Sequence, residues 1–403
     1  MATVDGKTVV IKLGSSSILS ESTMQHKIRI MSSMVEAVMN LRKAGHRVIL
    51  VCSGAIGVGR VRMGLLEPPR DLGQRQALAA LGQVRLMSLW DNLFSVVGIN
   101  VAQVLVTRTD LADSNRYHNA RTTLETLMSS AFDAVPIVNE NDTVSVHEMR
   151  FGDNDSLSAI TAGLVDADFL FLCTDVDGLY TDNPRSCPTA RRLKYVRSID
   201  EARREASVST MGTSFGTGGM QTKLIAAELA TAAGVATVII NGENPENIAR
   251  VVDKGVPNAD TDLSKENDQL DSPPHTMFLP SEFRLPARKW RILHAMHPVG
   301  SLIIDQGAYQ RISKKDSGGR LLPAGVVGVQ GTWERLQAVK LLVRQKDENE
   351  QHSKDVEVGR ALANYTSVEC ERIKGLQSTQ IFEVLGTAES CYITDQIVLS
   401  STA

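Results

Sequence analysis

The sequence predicts an α/β fold: a three-layer αβα sandwich with a mainly parallel central sheet, followed by a small β-rich domain. Three observations predict it. Short apolar runs recur up to residue 240, amphipathic helical patterns lie between them, and the composition changes near Pro257. The chain has 403 residues and 42% apolar composition, which is enough material for roughly two to three domains.

Six apolar runs are predicted to be strands. Several, such as VILVC and FLFLC, are almost continuous in apolar residues, which is typical of parallel strands covered on both faces. The predicted strands are Thr8–Leu13, Arg47–Cys52, Val101–Val106, Ala134–Val138, Asp168–Cys173 and Val235–Ile240.

Helical patterns alternate with these strands. Apolar residues from Ile28 to Leu41 recur at spacings of three and four, and Gly45 follows as a stop signal. Alternation of strand and helix predicts one three-layer domain. The predicted helices cover 28–41, 72–97, 120–128, 157–165 and 220–233.

The second half of the chain has a different texture. Residues 257–275 are rich in acids and proline, which is typical of a linker, and the later runs are short and β-like. These runs include SLIID, GVVGVQG, AVKLLVR, IFEVLG and CYITDQIVL, and RQKDENEQHSKD is interpreted as a surface loop. The predicted organisation is a first domain at 1–256, an acidic linker at 257–289 and a β-rich domain at 290–403.

Composition excludes several classes of protein. The 43 basic and 46 acidic residues give a net charge of −3, which does not indicate a nucleic-acid coat or a polybasic membrane binder. The five cysteines form no CxxC pair, so a zinc site or disulfide framework is not expected. The sequence shows no secretory signal pattern and no run of 18 apolar residues. We therefore expect a cytoplasmic protein that does not insert into a membrane.

Two candidate sites follow the first two strands. Lys12 interrupts an apolar strand, and Gly14 and Ser15 begin a small-residue turn, so a cation and backbone N–H donors could face phosphate oxygens. The alternative is a lysine on an edge strand. Ser53 and Gly54 follow the second strand in a segment that fits neither GxGxxG nor the Walker pattern, and a tight strand-to-helix turn explains it equally well.

Acidic and amide residues form the third candidate site. Asn141 and Asp142 lie in VNEND, and Asp153, Asn154 and Asp155 lie in GDND, directly before a helical pattern. A single N-cap is one explanation. The density of these residues also suits binding an ammonium group and orienting lysines or a metal.

The fourth site is a glycine-rich loop that runs into a helix and ends at Lys223. A lysine in the first turn opposes the helix dipole at about 0.3–1 kcal/mol, so an anion is expected near that end unless the side chain leans away. Two lysines, glycine loops and carboxylates together predict phosphoryl transfer without a P-loop. An acceptor that is already a carboxylate needs no general base.

These motifs resemble a known family. VVIKLGSSS, VCSGAIGVG, VNENDTVS, FGDNDSLSA, LCTDVDGLYTDNPR and GTGGMQTK, in this order, resemble the glutamate 5-kinases of the amino acid kinase family over residues 7–256. From KWRILH onward the chain resembles, more loosely, the PUA domain that follows the kinase in many members.

The resemblance implies roles for individual residues. It assigns catalysis to Lys12, Lys223 and Asp155, with Asp155 holding the two lysines. It assigns substrate binding to Ser53, Gly54, Asn141, Asp142, Asp153 and Asn154. It assigns ATP binding to Lys12, Gly14, Ser15, Thr174, Asp175, Thr217, Gly218, Gly219, Met220, Gln221, Thr222 and Lys223.

The resemblance also implies a reaction and its partners. MgATP and L-glutamate are expected to give L-glutamyl 5-phosphate and ADP, the first step of proline synthesis, with inhibition by proline. Mg²⁺ is expected to be held mainly by the ATP phosphates rather than by protein ligands. Members are typically homo-oligomers, here expected to be a dimer or tetramer, and the product could be handed to a glutamyl phosphate reductase.

Two alternatives remain. A sister kinase for acetylglutamate, aspartate or a nucleoside monophosphate would use similar glycine loops, although the acidic VNEND and GDND segments favour a free α-ammonium group. RNA binding through the PUA-like domain is the other. That domain is only mildly basic, and Trp290, Trp333 and Tyr365 have no obvious spacing for a stacking platform, so RNA binding is not expected to be the main function.

Overall fold

The computed structural model describes residues 6–20, 22–65, 67, 69–145, 154–184, 186–206, 219–257, 272–281, 286–314, 319–346 and 353–399. The chain forms two compact units. The first lies within Met1–Asp110 and Asn115–Leu285, and the second lies within Pro286–Ala403 together with Leu111–Ser114. In the described part of the chain, no helix combines the length and the apolar character needed to cross a membrane.

Strands and helices alternate through most of the first part of the chain, as predicted. In chain order they are β1 (Thr8–Leu13), α1 (Ser15–Ile18), α2 (Ile28–Lys43), β2 (Arg47–Cys52), α3 (Ala55–Met63), α4 (Leu72–Val96), β3 (Asn100–Val106), α5 (Arg108–Ala112), α6 (Ser114–Leu127), β4 (Ala134–Glu140), α7 (Asn154–Leu164), β5 (Phe169–Thr174), β6 (Leu179–Tyr180), β7 (Arg192–Leu193), β8 (Tyr195–Val196), α8 (Ile199–Glu205), α9 (Met220–Ala232), β9 (Ala236–Asn241), α10 (Asn247–Lys254) and β10 (His275–Phe278).

Eight of these strands form one sheet in the order β3-β4-β2-β1-β5-β9-β10-β8, and β6 pairs with β7 in a small separate sheet. The pairings from β3 to β9 are all parallel, whereas β10 runs antiparallel to β9. The chain leaves β1 to build one side of the sheet and later returns to β5 on the other side. Such a switch point opens a crevice at the carboxyl ends of the strands, where ligands bind in α/β proteins.

Helices cover both faces of this sheet. Val9, Ile11 and Leu13 of β1 share a core cluster with apolar residues of α2, α4 and α10, whereas α7 packs over β1, β2, β4 and β5. Because successive strand side chains alternate between faces, Lys12 leaves the sheet on the face opposite Ile11 and Leu13. The predicted three-layer architecture is therefore confirmed, and it directs Lys12 towards α7.

The glycines after β2 have a structural use. Gly54 directly precedes α3 and has φ +103°, so the strand-to-helix turn requires glycine there. Gly59 lies inside α3, where an added Cβ would be 2.0 Å from the carbonyl oxygen of Leu78 in α4. This glycine allows two helices to pack backbone against backbone.

The predicted linker at 257–289 contains a strand. β10 is fully buried and pairs with β8 and β9, so the chain returns to the first sheet after the acidic segment. The sequence did not reveal it because HTMF is only four residues long and lies between PP and LP pairs. The domain boundaries 1–256, 257–289 and 290–403 stay predictions.

The second unit is β-rich, as predicted. Its elements are α11 (Ala287–Trp290), a π-helical turn (Arg291–Ala295), β11 (Gly300–Ile304), α12 (Gln306–Ile312), a 3₁₀ turn (Pro323–Gly325), β12 (Val326–Gly331), β13 (Ala338–Lys346), β14 (Ser353–Leu362), α13 (Ser367–Ile373), a second 3₁₀ turn (Ser378–Gln380), α14 (Ile381–Leu385) and β15 (Gln396–Leu399). The five strands form a sheet in the order β12-β11-β13-β14-β15. Trp333 and Tyr365 are buried in its core.

Two predictions in this unit need correction. IFEVLG was expected to be β-like, but it forms α14: Ile381 is buried, Phe382 is 64% exposed and Gly386 ends the helix at φ +75°. The surface loop expected at 344–355 is shorter, because its ends belong to β13 and β14, which pair as far as Lys346 and Ser353. Charged side chains at both ends hid these strand residues, and residues 347–352 lie outside the described part.

Candidate active site

Asp155 lies at the centre of the candidate site. It is the second residue of α7 and is 0% exposed. The Oδ1 atom lies 2.5 Å from Lys12 Nζ, and the Oδ2 atom lies 3.2 Å from Lys223 Nζ. The Thr222 hydroxyl also donates to Oδ2 at 2.7 Å. Residues from β1, α7 and α9 therefore meet at one carboxylate.

The ionised form of Asp155 is favoured. Burial alone raises the pKa of this carboxyl group, but the charges of Lys12 and Lys223 and hydrogen bonds from Lys12 and Thr222 together hold the pKa well below its usual value of 3.8. One carboxylate and two ammonium groups give the trio a net charge of +1. A buried positive charge of this kind favours a bound anion.

An ion pair explains how Lys223 is accommodated in the first turn of a helix, where its charge opposes the helix dipole. Lys223 lies in the first turn of α9, which begins after Gly219, and it is only 5% exposed. Its side chain turns to Asp155 rather than to solvent. The expected anion is therefore, at least in part, a carboxylate of the protein itself.

Asn154 connects the start of α7 to β2 and β4. Its Nδ2 atom lies 2.8 Å from the Cys52 carbonyl oxygen, 2.8 Å from Ser53 Oγ and 3.0 Å from Asn139 Oδ1. Since Asn154 and Asp155 are neighbours on α7, the amide network lies one residue from the lysine pair. The sequence predicted Ser53 and Asn154 as partners in a site, and the structure brings their side chains together.

Several other residues predicted for the site lie in the segments directly after β1, β2 and β4. Gly14 precedes α1, and an added Cβ there would be 3.6 Å from Lys12 Nζ. Ser15 begins α1, and Gly54 precedes α3. Asn141 and Asp142 follow β4, where Asn141 Oδ1 accepts a hydrogen bond from the Thr143 hydroxyl within the same turn.

The residues predicted for the ATP site are only partly described. Thr174 ends β5, and its hydroxyl donates to the exposed Asp175 at 3.1 Å. Gly219 precedes α9, and Met220 and Gln221 begin it. Asp153, Thr217 and Gly218 lie outside the described residues.

Two further residues belong to the amide network. Asn139, in β4, is 2% exposed, and its Nδ2 donates to Gln83 Oε1 of α4 at 2.9 Å. Asn139 lies within the VNEND segment, whose predicted site residues are Asn141 and Asp142 alone. Gln83 has no sequence signal, because α4 carries no motif.

Thiol chemistry is not indicated at this site. Cys52 and Cys173 are fully buried in β2 and β5, and burial raises the pKa of both thiols to about 12. They are therefore protonated at neutral pH and act as small apolar side chains. Among the described residues, no group of three or more His, Cys, Asp or Glu side chains is arranged to hold a metal ion.

Comparison with known proteins shows the family of each part of the chain. The model of the amino acid kinase family matches residues 7–241, and the model of the PUA domain matches residues 300–385. The chain belongs to the amino acid kinase family. The first match covers more than half of the chain and contains the Lys12, Asp155 and Lys223 trio.

Full-length relatives are also similar. A protein of Schizosaccharomyces pombe named "Probable glutamate 5-kinase" is 45% identical over 387 residues, which cover 96% of this chain and 91% of that protein. An uncharacterized protein of Saccharomyces cerevisiae is 44% identical over 409 residues, with 96% of each chain covered. A glutamate 5-kinase of Cyanothece sp. is 43% identical over 396 residues, covering 98% of this chain and all of that protein. The similarity thus includes the PUA domain as well as the kinase domain.

Proposed function

We propose that this chain is a glutamate 5-kinase, which transfers the γ-phosphoryl group of ATP to the γ-carboxylate of L-glutamate. The observation that carries the proposal is a set of contacts at the start of α7. Asp155 forms ion pairs with two buried lysines, and the preceding Asn154 donates a hydrogen bond to the Ser53 hydroxyl. A cationic site and an amide site therefore lie side by side. Relatives named for this activity, with 43–45% identity, support the assignment.

In the proposed mechanism, the two substrates meet at this junction. The γ-carboxylate of glutamate is already an anion and attacks phosphorus directly, so a carboxylate oxygen forms a bond to phosphorus while the bond to the ADP oxygen breaks. Lys12 and Lys223 offset the negative charge that develops on the transferred group. Asp155 keeps both ammonium groups in position and is already engaged by them.

Mg²⁺ is proposed to enter with the phosphates of ATP, where it would offset their charge. The described part of the site suits this arrangement, because its central carboxylate, Asp155, is already engaged by Lys12, Lys223 and Thr222. We propose that Ser53, Asn154 and Asp142, with Gly54, Asn141 and Asp153, bind glutamate. The remaining proposed ATP contacts are Gly14, Ser15, Thr174, Asp175 and residues 217–222.

The function can be tested by trapping the acyl phosphate as its hydroxamate. Purified protein is incubated with MgATP and L-glutamate, and N-acetyl-L-glutamate and L-aspartate are the alternative acceptors. A nucleoside monophosphate, whose phosphorylated product forms no hydroxamate, is tested by the release of ADP. We expect product with L-glutamate alone. Product with one of the other acceptors instead would assign the chain to a sister kinase, and no product with any acceptor would refute the proposal.

The choice of free glutamate depends on a carboxylate partner for its α-ammonium group. The Asp142→Ala variant is expected to raise KM for L-glutamate by roughly 10- to 100-fold, because a charged group loses its partner. KM for ATP is expected to stay within twofold. Asp91→Ala, which removes an exposed carboxylate from α4, is the matched control. An unchanged KM for L-glutamate in Asp142→Ala would contradict this part of the proposal.

Further parts of the proposal come from the resemblance. We propose that the reaction is the first step of proline synthesis, that proline inhibits it, and that the enzyme is a cytoplasmic homo-oligomer, a dimer or a tetramer. Proline added to the hydroxamate assay tests inhibition, and light scattering after size-exclusion chromatography tests assembly. A changed rate of hydroxamate formation on addition of a glutamyl phosphate reductase would test product transfer. A salt-sensitive shift with single-stranded RNA would instead favour a role for the PUA domain in RNA binding.

A further inference from the structure

The end of β4 and the segment that follows it are attached to α4 at two points. Gln83 Oε1 accepts a hydrogen bond from Asn139 Nδ2 at 2.9 Å. About two turns nearer the N-terminus of α4, Gln76 Nε2 donates to the Ser145 carbonyl oxygen at 3.3 Å. Because this segment includes the amide network of the proposed glutamate site, α4 can influence substrate binding through these two glutamines.

Close helix packing brings Gln83 to this position. An added Cβ at the preceding residue, Gly82, would be 1.8 Å from the Ala55 carbonyl oxygen of α3. The contact is possible only because Gly82 has no side chain. Gln83 is in turn only 9% exposed, so its amide is separated from bulk water.

Backbone groups at both ends of the network fix the orientation of its amides. The Glu140 N–H donates to Asn139 Oδ1 at 2.9 Å, and the Cys52 carbonyl accepts from Asn154 Nδ2 at 2.8 Å. A backbone N–H can only donate and a carbonyl can only accept. Asn139 must therefore donate to Gln83 from Nδ2, and Gln83 must accept with Oε1.

The orientation of Asn139 determines which group of Asn154 is available to a ligand. Its Nδ2 atom is engaged by Cys52, Ser53 and Asn139, so the group it has left for a ligand is the accepting Oδ1. If Asn139 lost its partner on α4, its Nδ2 would be a buried donor without an acceptor, and only the Glu140 N–H and Asn154 would still hold the amide. A shift of the Asn139 amide towards another acceptor would draw its Oδ1 away from Asn154 Nδ2, and Asn154 would lose this support.

We propose that Gln83 is a positioning residue for the acceptor substrate: through Asn139 it holds the Asn154 amide with Oδ1 as the acceptor for the ammonium group of glutamate. This inference rests on the proposed function. Gln83 Nε2 has no hydrogen-bond partner among the residues that the structure describes. Only the accepting oxygen of this buried glutamine is used. Leucine or methionine could fill the same space, but neither could accept the hydrogen bond from Asn139.

The test separates the acceptor from the rest of the side chain. Gln83→Met keeps the length and removes the acceptor, and we expect KM for L-glutamate to rise roughly 5- to 100-fold, as for a buried amide left without its partner. KM for ATP should stay within twofold. Gln83→Glu keeps an accepting oxygen, so its KM for L-glutamate should lie below that of Gln83→Met.

Gln74→Met is the matched control, since it makes the same chemical change at an exposed position of α4 and should leave both KM values unchanged. If Gln83→Met does not fold, Gln83→Ala removes the acceptor without crowding, and the same KM criterion applies. An unchanged KM for L-glutamate, equal changes in both KM values, or no recovery in Gln83→Glu would overturn the inference.

Turnover of the parent enzyme with L-glutamate distinguishes a failure of this inference from a failure of the proposed function. Absence of turnover with L-glutamate in the parent would refute both. Normal turnover in the parent with an unaltered KM in Gln83→Met would refute the role of Gln83 alone.

Discussion

The charge of Asp155 is predicted to matter more for the site than its shape. Asp155→Asn preserves the size of the side chain and removes its negative charge. Lys12 and Lys223 would then lie 7% and 5% exposed without the carboxylate that both contact. Leaving a buried charge without its partner costs roughly 3–5 kcal/mol, so we expect the free energy of unfolding to fall by about this amount at pH 7.

The loss should depend on pH in a defined direction. The pKa of Asp155 lies well below 3.8 in the folded protein, so the carboxylate stabilises the fold above pH 3.8. This stabilisation disappears as the pH falls through the folded-state pKa. The difference between parent and Asp155→Asn is therefore expected to be largest near neutral pH and to shrink below pH 4.

Urea unfolding followed by tryptophan fluorescence can measure this difference. In a background with Trp290→Phe and Trp333→Phe, the remaining Trp90, which is fully buried in the first unit, reports on that unit alone. Asp166→Asn is the control, because Asp166 pairs with Arg121 but is 38% exposed and should contribute only about 0–1 kcal/mol. Equal stability of Asp155→Asn and parent at pH 7, or a difference that grows in acid, would refute the reasoning.

Two further predictions concern the proposed reaction. Lys223→Met should lower kcat by roughly two to three orders of magnitude, because the variant loses a charge that is proposed to act on the transferred phosphoryl group. A hydroxamate rate within threefold of the parent would contradict this. Thr276→Val should raise KM for ATP by roughly fivefold while KM for glutamate changes less than twofold, because the Thr276 hydroxyl accepts from the Leu179 N–H at 2.8 Å and holds the strand that follows Asp175. Thr237→Val, at a buried position of the neighbouring β9, is the control, and equal effects of the two substitutions would contradict the assignment.

Six strands of the central sheet, β1 to β5 and β9, could be predicted because each is a compact apolar run. The position of Lys12 could be predicted as well, since a charged residue within such a run must find a partner. Its partner Asp155 was among the candidates because it begins a helix beside other polar residues. What the sequence could not provide is the distance between them, which depends on the order of strands that places α7 over β1.

Other features lacked any local signal. β10 is a four-residue strand after an acidic segment, and its place is set by pairing with β9 rather than by its own pattern. The sequence of α14 resembles a strand because three of the four residues in IFEV are β-branched or aromatic, and only the burial pattern reveals a helical face. Gln83 is one polar residue among many on α4, and its contact with Asn139 depends on how closely α4 approaches α3.

In the proposed reaction, a carboxylate oxygen of free glutamate becomes bonded to phosphorus. This step can be tested with L-glutamate labelled with ¹⁸O in the γ-carboxylate, MgATP and hydroxylamine, followed by ³¹P NMR of the released phosphate. Hydroxylamine attacks the acyl carbon, so the bridging oxygen leaves with phosphate. Transfer to the γ-carboxylate predicts phosphate that carries one ¹⁸O atom for each hydroxamate formed. Phosphate without ¹⁸O, released from ATP at an unchanged rate when glutamate is omitted, would contradict it.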